Sequence, residues 1–340
     1  MGKKKTYIIA EVGPNHNGSY KLASKYIEEL SKTGVNAVKF QIGNPKQVLS
    51  LNALKIPYGK KSKNYKSNQD ATKEAEWRQL TYQEHKKLSK RCKSLGIDYL
   101  CSAFDIESLR FLNEELDIKS FKIPSGEILS LDLLEYINNQ KKPVILSTGM
   151  STFEEIKKSL FYLKKIKKNI SLLHCVSNYP TNIQEVNLAV MLELKKKFKL
   201  PVGFSDHTIG NVASMAAVSL GAEIIEKHVT LNKNMIGPDH HFSANIKEFI
   251  HLIKNIRSIE MTIGFKNKKI SSKEKAISKI ARKSIVSRRN LYPGDKIKLS
   301  DICFKRPGTG FLPIEKHKVL GKKVKKYIKQ DTLIQKKSIS

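Results

Sequence analysis

Two histidines in this chain each close an apolar run just after a charged residue. GFSDHTIG at 203–210 sets His207 behind Asp206, and AEIIEKHVT at 222–230 sets His228 behind Lys227. A pair of imidazoles with carboxylates nearby and open positions suits a borderline divalent ion such as Mn²⁺, Fe²⁺ or Zn²⁺. Two histidines satisfied by hydrogen bonds, or one acting as a base, are the other uses. Two lysines, Lys39 in NAVKFQI and Lys122 in SFKIPSGE, also interrupt apolar runs. Such a pair suits a substrate that carries carboxylate and phosphate. The rival use is a Schiff-base nucleophile, which needs a desolvated amine. Ser102, Ser125 and Ser147 could complete a phosphate cradle, although serine at a strand end is also ordinary turn chemistry.

These residues need elements to bring them together. Eight strand-like runs end in polar residues: 6–13, 36–42, 98–105, 120–127, 143–149, 171–178, 201–207 and 222–230. Amphipathic helical patterns such as YKLASKYIEELSK and TFEEIKKSLFYLKKI lie between them. Eight β/α units in about 260 residues predict an α/β protein, a (β/α)8 TIM barrel. A doubly wound sheet would offer a Gly-rich phosphate loop after its first strand, and EVGPNHNG is not GxGxxG. In a barrel all strand C-termini open on one face. That collects Glu11, Lys39, Gln41, Ser102, Asp105, Lys122, Ser125, Glu127, Ser147, Thr148, His174, Asn178, Tyr179, Asp206, His207, Glu226, Lys227 and His228 around one mouth. His207 and His228 then close neighbouring strands, roughly 5 Å apart, and can reach a common point.

The domain expectation is a catalytic barrel at 1–264, a basic and weakly structured linker at 265–283, and a small mostly-β domain with many turns at 284–340. Residues 43–80 form a disproportionately long connection leaving a strand's C-terminal end, where a lid or substrate contact is expected. The 340 residues carry a net charge of +32, yet only eight of the 63 basic residues are arginine and the lysines are scattered. With no zinc finger, aromatic RNA-binding segment or arginine-rich tract, this reads as solvated lysine faces and not as nucleic-acid recognition. No apolar run is long enough to cross a bilayer and no signal peptide is evident, so a cytoplasmic location is expected. Cys92, Cys101, Cys175 and Cys303 have no metal spacing and read as reduced, mostly buried thiols.

Taken in order, IIAEVGPNHNGS, AVKFQ, FKIPSGE, ILSTGM, HCVSNYPT, GFSDHT, IEKHVTL and GPDHHFS resemble the sialic acid synthases, and the tail with KRPGTG resembles their antifreeze-like (SAF) domain. The resemblance spans nearly the whole chain. It implies condensation of phosphoenolpyruvate with an N-acylated hexose to a nine-carbon 2-keto sugar acid, with N-acetylmannosamine the first choice. A 2,4-diacetamido-trideoxy hexose leading to legionaminic or pseudaminic acid is the second choice. It implies that His207 and His228 hold Mn²⁺ or Mg²⁺. It further implies that Lys39, Lys122, Ser102, Ser125 and Ser147 hold phosphoenolpyruvate, with Asn178 close by. Glu127 would serve near the reacting carbons, and Glu11, Gln41, Tyr179 and Asp239 would line the sugar channel. Glu11 and Lys122 join Glu127 as the catalytic set. Arg306, in the KRPG turn, would reach the sugar's N-acyl group across a homodimer, one protomer's tail domain covering its partner's barrel. One departure is Ser102-Ala103-Phe104-Asp105 where the family often has Thr-Pro-Phe-Asp, which keeps the hydroxyl and loses the proline.

Overall fold

In the computed structural model, which describes residues 5–50, 75–264 and 267–340, eight parallel strands close on themselves. They are β1 (Tyr7–Glu11), β2 (Ala37–Ile42), β3 (Asp98–Ala103), β4 (Phe121–Ile123), β5 (Val144–Ser147), β6 (Ile170–Cys175), β7 (Val202–Asp206) and β8 (Ile224–Thr230). Each pairs with the next, and β1 pairs with β8 to close the barrel. A helix follows every strand: α1 (Tyr20–Ser31), α2 (Tyr82–Ser94), α3 (Ile106–Arg110), α4 (Leu131–Asn138), α5 (Phe153–Tyr162), α6 (Ala189–Phe198), α7 (Val212–Ser219) and α8 (Ile246–Ile263). The fold class is therefore the (β/α)8 barrel that the alternation predicts.

Local chemistry sets the helix starts. Thr81, Thr152 and Asn245 cap α2, α5 and α8, each accepting from the backbone N–H of a glutamate three residues on that reaches back to the cap. Such caps contribute about 1 kcal/mol each. Outward strand positions and inward helix faces fuse into one apolar layer that includes Ile8, Val38, Phe40, Phe121, Phe204 and Phe249. Inward positions low in the barrel form a separate plug of Ile9, Ala37, Leu100, Ile145, Leu173 and Ile224.

The chain divides into Met1–Gly264 and Phe265–Ser340. Part of the expected linker is not weakly structured. Ser272–Ala281 form a helix, α9, because Ser271 and Glu274 make a reciprocal capping box. Beyond it a two-stranded antiparallel ladder, Ser284–Ser287 with Ile302–Lys305, anchors a small core of Ile285, Leu291, Ile297, Ile302, Val319, Val324, Ile328, Ile334 and Ile339. Among the described residues no helix is long and apolar enough to cross a membrane.

Candidate active site

Above the apolar plug the barrel interior turns ionic. The pleat points alternate residues inward, so Glu11, Lys39, Lys122 and Glu226 share the interior, each about 5% exposed or less. Lys39 Nζ lies 2.8 Å from Glu11 Oε2 and 3.7 Å from Glu226 Oε2. Lys122 Nζ lies 3.9 Å from Glu226 Oε1. Two unit charges about 4 Å apart attract by roughly 4 kcal/mol in a protein-like dielectric, comparable to the desolvation cost of each ion. The two acids and two lysines hold one another charged only as a set.

The charge states follow. Burial opposes the charge on Lys39, but Glu11 and Glu226 outweigh it and hold its pKa above the usual lysine value. Burial wins at Lys122, whose pKa is lowered in spite of Glu226. Burial works against ionised Glu226 as well, yet Lys122, Lys39 and the Ser205 hydroxyl bring its carboxyl down to about 2.

Hydroxyls and amides complete the set. Lys122 donates to Ser147 Oγ (2.7 Å) and Lys39 to Ser102 Oγ (3.2 Å). Gln41 Nε2 donates to Glu11 Oε1 (2.8 Å), and Ser205 Oγ to Glu226 Oε1 (2.9 Å). Ser125 Oγ accepts from the backbone N–H of Gly149. That approach needs glycine, because a Cβ at 149 would meet the Ser125 and Ser177 hydroxyls at 2.8 and 2.3 Å.

At the rim His207 and His228 lie with ring centroids 5.3 Å apart. His207 Nδ1 is 2.8 Å from the Val176 carbonyl, which can only accept, so that nitrogen carries a proton and, in the neutral ring, Nε2 keeps the lone pair. Cys175 Sγ is 3.8 Å from the same Nδ1. Burial disfavours a charge on His207, but Cys175 and the Val176 carbonyl outweigh it and raise its pKa. His228 Nδ1 makes no hydrogen bond within the protein and lies 3.3 Å from Asp239 Oδ2. The Asp239 carboxyl, opposed by burial, is lowered by its contact with His228. Tyr179 packs its ring 4.2 Å from that of His207. Neighbouring imidazoles, one with its tautomer fixed by a carbonyl and one facing the Asp239 carboxylate, are donors of the type a divalent cation takes. Among the described residues no group of three or more His, Cys, Asp or Glu is arranged to hold a metal ion, so the two imidazoles are the donors such an ion would have.

A cavity of about 500 Å³ runs from this rim to the ionic layer. Of the residues expected at the site, Glu11, Lys39, Gln41, Lys122, Ser125, Ser147, Tyr179, His207, His228 and Asp239 line it. Ser102 is fully buried behind Lys39. Two of the expected residues lie off the wall. Glu127 is half-buried and bonded to Ser130 in its own 3-10 turn, off the cavity wall, and burial raises its pKa. Asn178 is exposed and reaches toward Glu185, leaving Ser177 on the wall. Arg306 is exposed in the second unit, next to the cis Arg306–Pro307 bond.

The mouth expected from the strand ends was also too inclusive. His174, Asp206 and Lys227 point outward into the helix layer, because each lies one residue from an inward-facing neighbour. The same parity keeps Glu226, already collected at the mouth, and finds Ser205, which was missed: they stand two residues before His228 and His207 and share their face. Cys175 and His16 also line the wall. From the long 43–80 connection, Pro45, Val48, Leu49, Ala75, Arg78 and Gln79 reach the cavity, while 51–74 lie outside the described residues.

Fold and site together define a barrel whose mouth holds paired ammonium groups, hydroxyls and imidazoles, a design for a small polar anion. Residues 26–268 match the NeuB family and residues 282–340 the SAF domain. The chain belongs to the NeuB family, the sialic acid synthase family, and carries its SAF domain. It is 43% identical to N,N'-diacetyllegionaminic acid synthase of Campylobacter jejuni, across 97% of this chain and 99% of the relative. It is 38% identical to the protein of the same name from Legionella pneumophila, across 94% and 90%. A crystal structure of N-acetylneuraminic acid (sialic acid) synthetase from Leptospira borgpetersenii in complex with citrate superposes with a TM-score of 0.71, at 32% identity over 80% of this chain and 90% of that one.

Proposed function

We propose that the protein is an N,N'-diacetyllegionaminic acid synthase, joining phosphoenolpyruvate to a 2,4-diacetamido-trideoxy hexose with release of phosphate. The observation that carries this reading is the 43% identity, over nearly the full length of both chains, to a synthase of that name. It reverses the order expected from motifs alone, which put N-acetylmannosamine first.

The ionic layer supports the donor half of the reading. Lys122 with Ser147, and Lys39 with Ser102 behind it, offer charge-assisted donors to a phosphate and a carboxylate. In the reaction the enol carbon of phosphoenolpyruvate bonds to the sugar's aldehyde carbon, whose oxygen takes up a proton. Water adds to the central carbon and becomes the ketone oxygen as that carbon's bond to the phosphate oxygen breaks, its two protons passing to the new hydroxyl and to the departing phosphate. Glu11, gripped by Lys39 and Gln41, is a wall carboxylate suited to orient the sugar and handle a proton, and Glu127 would join it on turning from Ser130. Gln41, Tyr179 and Asp239 would order the sugar hydroxyls and amides. His207 and His228 would hold Mn²⁺ or Mg²⁺, an ion that draws charge from an aldehyde oxygen.

Arg306 would act across a homodimer, from the partner's SAF domain. Mixing Lys39→Met and Arg306→Ala proteins, each impaired alone, should then restore part of the activity. The principal test is phosphate release with phosphoenolpyruvate and a panel of N-acylated hexoses. The diacetamido sugar should give the highest kcat/KM and a legionaminic product. Preference for N-acetylmannosamine, or a pseudaminic product, would overturn the assignment.

A further inference from the structure

Asp206 and Lys227 precede the two rim histidines and play no part in the cavity. They are direct partners across β7 and β8, and their side chains meet on the outer face at 2.9 Å, each about 2% exposed or less. On these two strands the other outward positions, Val202, Phe204, Ile225 and Val229, are apolar and buried. The pattern changes to a charged pair only at the level of the histidines. A buried ion pair is seldom more stable than a well-packed apolar pair in its place, so stability alone does not account for it.

We infer that the Asp206–Lys227 pair is a positioning device for His207 and His228, setting the geometry, and so the affinity, of the divalent-cation site. This rests on the metal reading above. Asp206 Oδ1 accepts both the backbone N–H and the hydroxyl of Thr208, at 2.8 Å each. Its other oxygen accepts from Ser214 of α7 (2.5 Å) and from Lys227. Lys227 Nζ also donates to the Thr208 carbonyl at 2.9 Å. The residues on both sides of His207 are thus tied to one another and to the strand that bears His228. The carbonyl of His207 itself accepts from Thr181 N–H at 3.0 Å. With its peptide held at each end, His207 can keep its ring against Val176 and its Nε2 facing the mouth. Parity completes the arrangement: with Asp206 and Lys227 locked outward in register, the next residue on each strand must face inward, beside its counterpart.

The test uses two neutral replacements of the pair, Asp206→Leu/Lys227→Met and Asp206→Asn/Lys227→Met, so that one folded protein suffices. The second keeps a side chain able to bond Thr208 and Ser214. Mn²⁺ affinity is measured by electron paramagnetic resonance. In metal-free protein, histidine ring N–H signals are measured by ¹⁵N NMR and assigned by comparison with His207→Ala. The expected result is a melting temperature close to the parent's, Mn²⁺ binding weakened about 10- to 100-fold, and loss of the protected His207 Nδ1–H signal. Parent-like Mn²⁺ affinity with an intact ring signal in a folded variant overturns the inference, whatever its melting temperature. If the parent binds no Mn²⁺, the metal reading falls instead, and the ring signal still decides whether the pair positions His207.

Discussion

Glu11 and Lys39 face each other across β1 and β2 with 2.8 Å between Oε2 and Nζ, and Gln41 occupies the other carboxylate oxygen. The lysine that would meet the substrate is therefore already gripped from behind. Lys39→Met should strand Glu11 and weaken the hold on Glu226. Breaking a buried pair in this way costs about 3–5 kcal/mol, which a lowered unfolding midpoint will register. Losing one charged donor to the substrate should cut kcat/KM for phosphoenolpyruvate by about 10- to 100-fold, the equivalent of roughly 1.5–3 kcal/mol.

Lys122 is the residue by which to separate a synthase from a Schiff-base aldolase, since burial lowers its pKa toward nucleophilic behaviour. Its 2.7 Å bond to Ser147 and its contact with Glu226 suit an anion clamp instead. Borohydride added with substrate should leave the protein mass unchanged. Lys122→Arg should retain measurable turnover, because charge and not amine nucleophilicity is required. A stable adduct on Lys122 would favour the aldolase.

Removal of divalent ions should abolish turnover, and Mn²⁺ should restore it. His207→Ala and His228→Ala should each weaken Mn²⁺ binding about tenfold or more, because each removes one of only two imidazole donors. Full activity of His207→Ala in metal-free buffer would refute the assignment.

Acid sensitivity should begin well above the carboxylate range. Burial lowers the pKa of His16 to about 3 and those of His85 and His240 to about 4, from an ordinary 6.5. Below pH 6.5 the unfolded chain binds protons at these sites and the folded protein does not. Their contribution is therefore complete above 6.5 and lost as the pH falls toward 4 and then 3. Thermal midpoints recorded from pH 7.5 to 4 should fall steadily, and His85→Gln should flatten the slope. A midpoint independent of pH over that range would contradict the burial of these rings.

The barrel was legible because apolar runs with polar ends recur at regular spacing, and the lysines and histidines stand out against those runs. Parity was harder to read. Listing strand ends merges two faces, and only counting in twos back from His228 separates Glu226 from Lys227. Where the Glu127 carboxylate lies could not be read from strand alternation, because the chain leaves β4 in a 3-10 turn and Ser130 bonds the carboxylate. The helix at 272–281 was hidden by its polar composition, although Ser271 and Glu274 announce its start. Arg78 and Gln79 reach the cavity from a segment with neither period, where no pattern in the sequence could point to them.

The plug of Ile9, Ala37, Leu100, Ile145, Leu173 and Ile224 stoppers the barrel beneath the charged layer. A vessel sealed at its base admits and discharges through one doorway. On the proposed function, an anion held by Lys122 and Ser147 would arrive ahead of a larger guest seated nearer the histidines, and would wait for that guest to depart before it could leave.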